Sequence, residues 1–333
     1  MVFVSPKEVH LVDSGSEVND PHLVNMRPAE NIVKEAMDML TVHNNCRVSD
    51  GDDSSEALVR VGKLGTFTLA SMKIFQNMCT LQSDAVKLQQ ERNWLSQEKE
   101  NLPVINKIQD ILENSRPHDE ILKEGIFIID VQDFSTLACE RYVNGFIIDA
   151  VCLKLLHECL PTKFVYLPTY SQTWARQGVQ YFSQKVNRFF GHCKVQDVEC
   201  ILAPVHFETP KHWGLLCFEC SRKTVYFDDG LRVSPPRDIF TVIRNMLGGF
   251  RALSEDASFD EEQWNQLNLP LPRINMPPQT KTGVGSGSCG VGVILTVRDV
   301  LSSGNCHPLF LWKFENMDKL RKELMTLILQ WRD

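Results

Sequence analysis

His212-Trp213-Gly214-Leu215-Leu216-Cys217-Phe218-Glu219, then Lys223-Thr224-Val225-Tyr226-Phe227-Asp228-Asp229, then Gly287-Ser288-Cys289-Gly290-Val291 are the stretches that decide the fold. In each, a chemically distinctive side chain stands at the end of an element. Residues 213 to 220 read as an apolar strand, Ser221-Arg222 as a turn, and Thr224 to Phe227 as a second β-rich run. Antiparallel pairing brings the chain back to its starting edge, so His212 and Asp229 are expected side by side. The carboxylate then accepts from one imidazole nitrogen and leaves the other free as a base. Cys289 follows the glycine-rich run from Gly283 to Ser288 and precedes the apolar run from Gly290 to Val297, which reads as a loop entering a buried helix. A helix N-terminus and a neighbouring imidazolium bring a thiol from a pKa of about 8.5 to as low as roughly 3.5 in the strongest cases. A His…Asp…Cys set of this kind carries the chemistry of a cysteine hydrolase.

The same residues resemble the ubiquitin-like-protein-specific cysteine proteases that process and remove SUMO and its relatives. Cys200-Ile201-Leu202-Ala203-Pro204-Val205-His206 resembles the strand leading to that family's His-Trp pair, and His212 to Leu231 follows the family pattern without a gap. Upstream, Arg141-Tyr142-Val143-Asn144-Gly145-Phe146-Ile147-Ile148 resembles the family's Trp-Leu-Asn-Asp stretch and the helix after it. Phe164 to Tyr170 stands where the family has an aromatic-rich loop. The resemblance runs over roughly residues 120 to 310 of the 333.

It implies an α+β fold: a papain-like, ubiquitin-like-protease catalytic domain with a central mixed sheet flanked by helices, behind a helical N-terminal extension. It also implies a cysteine peptidase that cleaves after the C-terminal Gly-Gly of SUMO or another ubiquitin-like modifier, in maturation or deconjugation. The catalytic set is then Cys289, His212 and Asp229, with Gln279 as oxyanion donor, and Trp213 and Tyr142 wall a tunnel that only glycine can thread. The partners are the modifier and its conjugates; no cofactor and no metal is expected. Three departures are visible. Tyr142 stands for Trp and Gly145 for the final acid; Ser288 stands for the Asp before the nucleophile; and Gly283 occupies the position six before Cys289 where the family has its glutamine, Gln279 lying four residues earlier. Either the glycine-rich loop bulges to place Gln279 or the oxyanion hole rests on the Cys289 N–H and a substitute donor. Loss of one donor costs about 10² to 10³ in rate. The alternative reading is therefore a catalytically weak protease-like domain that binds a modifier as an interaction module.

Outside these stretches, 43% apolar residues support a sizeable core, and a formal charge of −7 without a long basic block argues against a nucleic-acid surface. No apolar run approaches the ~20 residues of a membrane span. An intracellular chain, nuclear or cytoplasmic, is expected. The 11 cysteines are an odd number spread along the sequence and read as reduced core residues. Cys217-x-x-Cys220 has zinc half-site spacing, but in a strand its two side chains face opposite sides and no second pair follows. His192-Cys193 with Cys200 gets the same reading.

Three regions are expected: residues 1–55, largely disordered apart from a short helix from about Ala29 to Leu40; 56–116, helical or coiled coil; and 117–333, the catalytic domain. In the second region Ile74, Met78, Leu81, Ala85, Leu88, Arg92 and Leu95 alternate by four and three, a heptad pattern that allows self-association through residues 67–100. Ile105, Ile108 and Leu112 mark another amphipathic helix, and Met317, Leu320, Leu324, Leu327 and Trp331 a last one that covers the sheet.

Overall fold

The computed structural model describes residues 9–12, 28, 30–50, 58–61, 64–97, 102–139, 141–159, 163–190, 194–208, 211–232, 235, 238–254, 259–264, 271–279 and 287–332. They fall into two compact units, Met1–Asn93 and Trp94–Asp333. In the first, β1 (Val9–Val12), β2 (Leu58–Val61) and β3 (Gly65–Thr68) form an antiparallel sheet in that order. Helix α1 (Glu30–Asp50) places Ile32, Val33, Ala36 and Leu40, spaced to share one face, in a core with Val59, Val61 and Phe67. Helix α2 (Leu69–Leu95) adds Met72 and Phe75, the latter edge-on to Phe67 at 5.1 Å.

The structure thus places a strand and a packed helix within residues 1–55, and α1 runs beyond the expected Leu40. Ser14-Gly15-Ser16 and Gly51 to Ser55 lie outside the described residues. Of the heptad positions on α2, Ile74, Met78 and Leu88 are half-buried, Leu81, Ala85 and Arg92 exposed, and Leu95 buried.

The second unit takes in the last residues of α2, Trp94 and Leu95, and continues with α3 (Leu102–Asn114), whose Ile105, Ile108 and Leu112 are buried as their spacing anticipates. A hairpin of β4 (Glu120–Glu124) and β5 (Phe127–Asp130) leads into α4 (Val131–Ser135), where the Asp130 carboxylate accepts from the Asp133 N–H at 2.8 Å as an N-cap. There follow α5 (Gly145–Cys159), β6 (Phe164–Tyr166), α6 (Ser171–Arg176), α7 (Val179–Phe190), β7 (Cys200–Glu208), β8 (Lys211–Glu219), β9 (Thr224–Asp228), α8 (Asp238–Leu253), α9 (Ser288–Ser303) and α10 (Met317–Arg332).

The central sheet has the order β6-β7-β8-β9, with β6 parallel to β7 and the other pairs antiparallel. The expected mixed sheet is present. Its inner strands are buried on both faces, which is why they read as nearly unbroken apolar runs. Leu202, Leu215, Cys217 and Tyr226 face a core shared with α5, α9 and α10; Ile201, Val205, Leu216, Phe218 and Phe227 face a second core shared with α7 and α8. Each large apolar side chain so buried contributes roughly 1.5–3 kcal/mol. The β8–β9 hairpin pairs Leu215 with Asp228 through Glu219 with Thr224, the pairing read from its turn residues.

Candidate active site

The hairpin sets His212 at the start of β8 and Asp229 just past β9, both buried. His212 Nε2 lies 2.8 Å from the backbone oxygen of Asp229 and 3.9 Å from its carboxylate. The imidazole is therefore held first by the peptide group and only secondarily by the acid. The Asp229 carboxylate in turn accepts from the N–H groups of Leu231 (3.0 Å) and Arg232 (3.1 Å). Burial pushes the Asp229 carboxyl up from the usual range, against the opposing pull of His212 and those two N–H groups. Asp228 folds back instead. Its carboxylate accepts from the Asp229, Gly230 and Met276 N–H groups at 3.0, 3.2 and 3.0 Å, so it fastens the loop.

Cys289 is the second residue of α9 and is buried. Two glycines allow the helix to start there. Gly287 has φ of +69°, and a Cβ on it would stand 2.1 Å from the Arg141 carbonyl oxygen; one on Gly290 would stand 3.1 Å from Val143 Cβ and 3.3 Å from Trp213 Cδ1. The thiol lies by the backbone N–H of Trp213, the residue after His212. Burial pushes the Cys289 thiol up, while the backbone N–H groups of Trp213, Gly290 and Cys289 itself, and then the charge of Arg321, pull it down.

Trp213 Nε1 donates to the Val143 carbonyl at 2.9 Å, which ties β8 to the segment before α5. Tyr142 stacks on Trp213 with centroids 6.3 Å apart and planes 22° from parallel, and Lys211 Nζ lies 5.7 Å from the Tyr142 ring. His206, paired with Trp213 across the sheet, completes the aromatic group at 4.6 Å from Trp213 and 5.9 Å from Tyr142. Burial depresses the His206 imidazole below its usual range, against the opposing pull of Glu208. Asn144 caps α5 by accepting from the Ile147 N–H at 3.1 Å. At Gly145 a Cβ would stand 2.7 Å from Thr169 Oγ1, so a larger residue there needs the Thr169 side chain to move.

Gln279 is buried at the end of a segment that runs beside β9: Pro272 O accepts from Phe227 N at 3.0 Å, and Gln279 N donates to Gly230 O at 2.7 Å. Its backbone is thus anchored one residue beyond Asp229. Gly283 lies outside the described residues.

The structure sets His212 beside Asp229 and groups Trp213, Tyr142 and Cys289, while the Gln279 backbone is tied to the residue after Asp229. Two supports escape a reading of the sequence. Arg321 of α10 is fully buried and donates to the carbonyls of Thr136 and Leu137 (3.2 Å each) and Arg141 (2.9 Å), fixing the backbone that carries Tyr142. Its only sequence signal is its place four residues from both Met317 and Met325, on the apolar face. Asp149 of α5, also fully buried, accepts from Tyr166 Oη (2.8 Å), the Thr169 N–H (2.7 Å) and Thr169 Oγ1 (2.8 Å), and burial pushes its carboxyl up to about 7. It fixes the loop opposite Asn144 across a shallow cleft lined by Phe146, Tyr170, His206, Glu208 and Trp213.

No family model and no curated protein matches the chain. Solved structures do match its fold. The C-terminal Ulp1 protease domain in complex with Smt3, the yeast ortholog of SUMO, superposes with a TM-score of 0.56 at 20% identity, over 69% of this chain and 96% of that one. The SUMO protease Ulp1 with its catalytic cysteine oxidised to a sulfinic acid gives 0.54 at 19%, over 71% and 97%. A Chaetomium thermophilum Ulp1-like SUMO protease catalytic domain gives 0.52 at 18%, over 69% and 89%. The chain has the fold of these protease domains.

Proposed function

We propose that this chain is a thiol peptidase that hydrolyses the peptide or isopeptide bond after the C-terminal Gly-Gly of SUMO or a related ubiquitin-like modifier. The observation that carries the reading is that Cys289, at the start of α9, stands by the Trp213 backbone, while the preceding residue His212 rests beside Asp229, in a fold shared with SUMO protease domains. Cys289 attacks the carbonyl carbon; His212 takes the thiol proton and returns it to the leaving amine; Asp229 orients the imidazole. For that, the 3.9 Å separation between imidazole and carboxylate closes as substrate binds. The Cys289 N–H and Gln279 meet the oxyanion. Trp213 and Tyr142 wall the passage of the glycines, excluding residues with side chains. The modifier and its conjugates, in nucleus or cytoplasm, are the partners.

The alternative is an interaction module that binds the modifier without turnover. It is supported by the imidazole resting on a carbonyl and by the burial that opposes thiolate formation. Labelling the chain with a panel of ubiquitin-like modifiers bearing a C-terminal thiol-reactive warhead tests both. Labelling by SUMO that disappears in Cys289→Ala and falls steeply in His212→Ala is the expected result. Absence of labelling by every modifier in a folded chain removes the peptidase reading, and SUMO affinity of Cys289→Ala then decides for the module.

A further inference from the structure

At the end of the β7–β8 pair remote from His212, three cysteines from separate parts of the chain meet. Phe207 pairs with His212 at one end of the two strands; Cys200 pairs with Glu219, and Leu202 with Cys217, at the other. Cys200 and Cys217 occupy diagonal positions on the same sheet face, and their sulfurs are 3.4 Å apart. Cys306 reaches the same core from just past Gly304, the C-cap of α9. The three sulfurs all lie within 4.8 Å of one another, and all three side chains are buried. Cys220, the neighbour that the Cys-x-x-Cys spacing suggests, packs against the opposite core and lies outside this group of three.

We propose that Cys200, Cys217 and Cys306 form a binding site for a thiophilic divalent cation of the zinc class. Zn–S bonds of about 2.3 Å put the sulfurs of a tetrahedral site roughly 3.8 Å apart, and the sulfurs here, at 3.4 Å and within 4.8 Å, already bracket that edge. The short step from these positions to coordination needs side-chain rotation and no rearrangement of strands. His307, next in the chain to Cys306, stands outside this group of three ligand atoms, so the fourth position is left to a water or another ligand from outside the chain. On binding, each thiol exchanges its proton for a metal–sulfur bond and the proton passes to buffer; no oxidant is required. The ion fastens the far ends of β7 and β8 to the connection between α9 and α10. It stands apart from the peptidase reading and survives that reading's failure.

The test uses the full, reduced chain, stripped with chelator and titrated with Co²⁺. A sulfur-to-cobalt charge-transfer band that saturates at one ion per chain, is bleached by Zn²⁺ and accompanies proton release is expected. Cys306→Ser is expected to weaken it at least tenfold, while Cys220→Ser and Cys289→Ala leave it intact. X-ray absorption at the zinc edge of the wild-type chain, which needs no variant, is expected to count three sulfur neighbours. No band from a folded chain with its thiols reduced, a band indifferent to Cys306→Ser, or fewer than three sulfurs overturns the proposal. So does recovery of a Cys200–Cys217 disulfide as the stable form.

Discussion

Arg321 shows how much a single buried charge can organise. Three main-chain oxygens converge on its guanidinium, and replacing it by Met leaves one buried and two half-buried oxygens without that donor, at about 1–3 kcal/mol for a buried group and less for a half-buried one. Arg321→Met is expected to lower stability by roughly 3 kcal/mol or more, read by urea denaturation, and to slow warhead labelling of Cys289 because the thiol loses a nearby positive charge. Asp149 makes a pH prediction. Its folded-state carboxyl is raised from 3.8 to about 7, so the folded chain holds the proton more tightly than the unfolded one. The stabilising contribution is complete below pH 3.8 and is lost as pH rises through about 7. Unfolding free energies of wild type relative to Asp149→Asn are expected to decline over that window and level off above it; a flat difference contradicts the assignment. Neither residue is legible in the sequence. An arginine in an amphipathic helix ordinarily reads as solvated, and the carbonyls it serves lie some 180 residues away. His212, Asp229 and Cys289 are legible because each stands at an element boundary that local turn and glycine patterns reveal.

Among elements, the β8–β9 hairpin is the most readable because its register follows from an adjacent turn, whereas β1 reaches its partner β2 across a long interval of sequence and all three strands of that sheet are only four residues long. The thiol cluster is hidden for the same reason: sequence spacing points Cys217 to Cys220, while strand pairing turns it toward Cys200. Helix α9 depends on its glycines. Gly287→Ala puts a side chain into the left-handed region, at ~1–2 kcal/mol, and against the Arg141 carbonyl. Labelling of Cys289 is expected to fall about tenfold or more, the equivalent of 1.4 kcal/mol, with a lower melting temperature; unchanged labelling contradicts the described start of the helix. In α2, Leu81 is 70% exposed and Val86 52%. If this stretch is the self-association seam that its heptads suggest, Leu81→Glu converts a dimer to a monomer in sedimentation velocity; a monomeric wild type removes the seam.

For the whole molecule, the division after Asn93 predicts that the chain from Trp94 onward folds by itself, since its cores draw on residues from Trp94 to Leu329. A single cooperative unfolding transition in that fragment, with warhead labelling close to that of the full chain, is the expected outcome; a fragment without one contradicts the division. None of the described helices is long and apolar enough to cross a membrane. The link between Arg321 and the carbonyls of residues 136–141 also sets an order in time. A ribosome delivers the Tyr142 segment, the β8 histidine and the α9 cysteine before it delivers the guanidinium that fixes the first of them. The cleft therefore takes its final shape after α10 has left the exit tunnel, and a nascent chain carries its nucleophile for some seconds without a finished site around it.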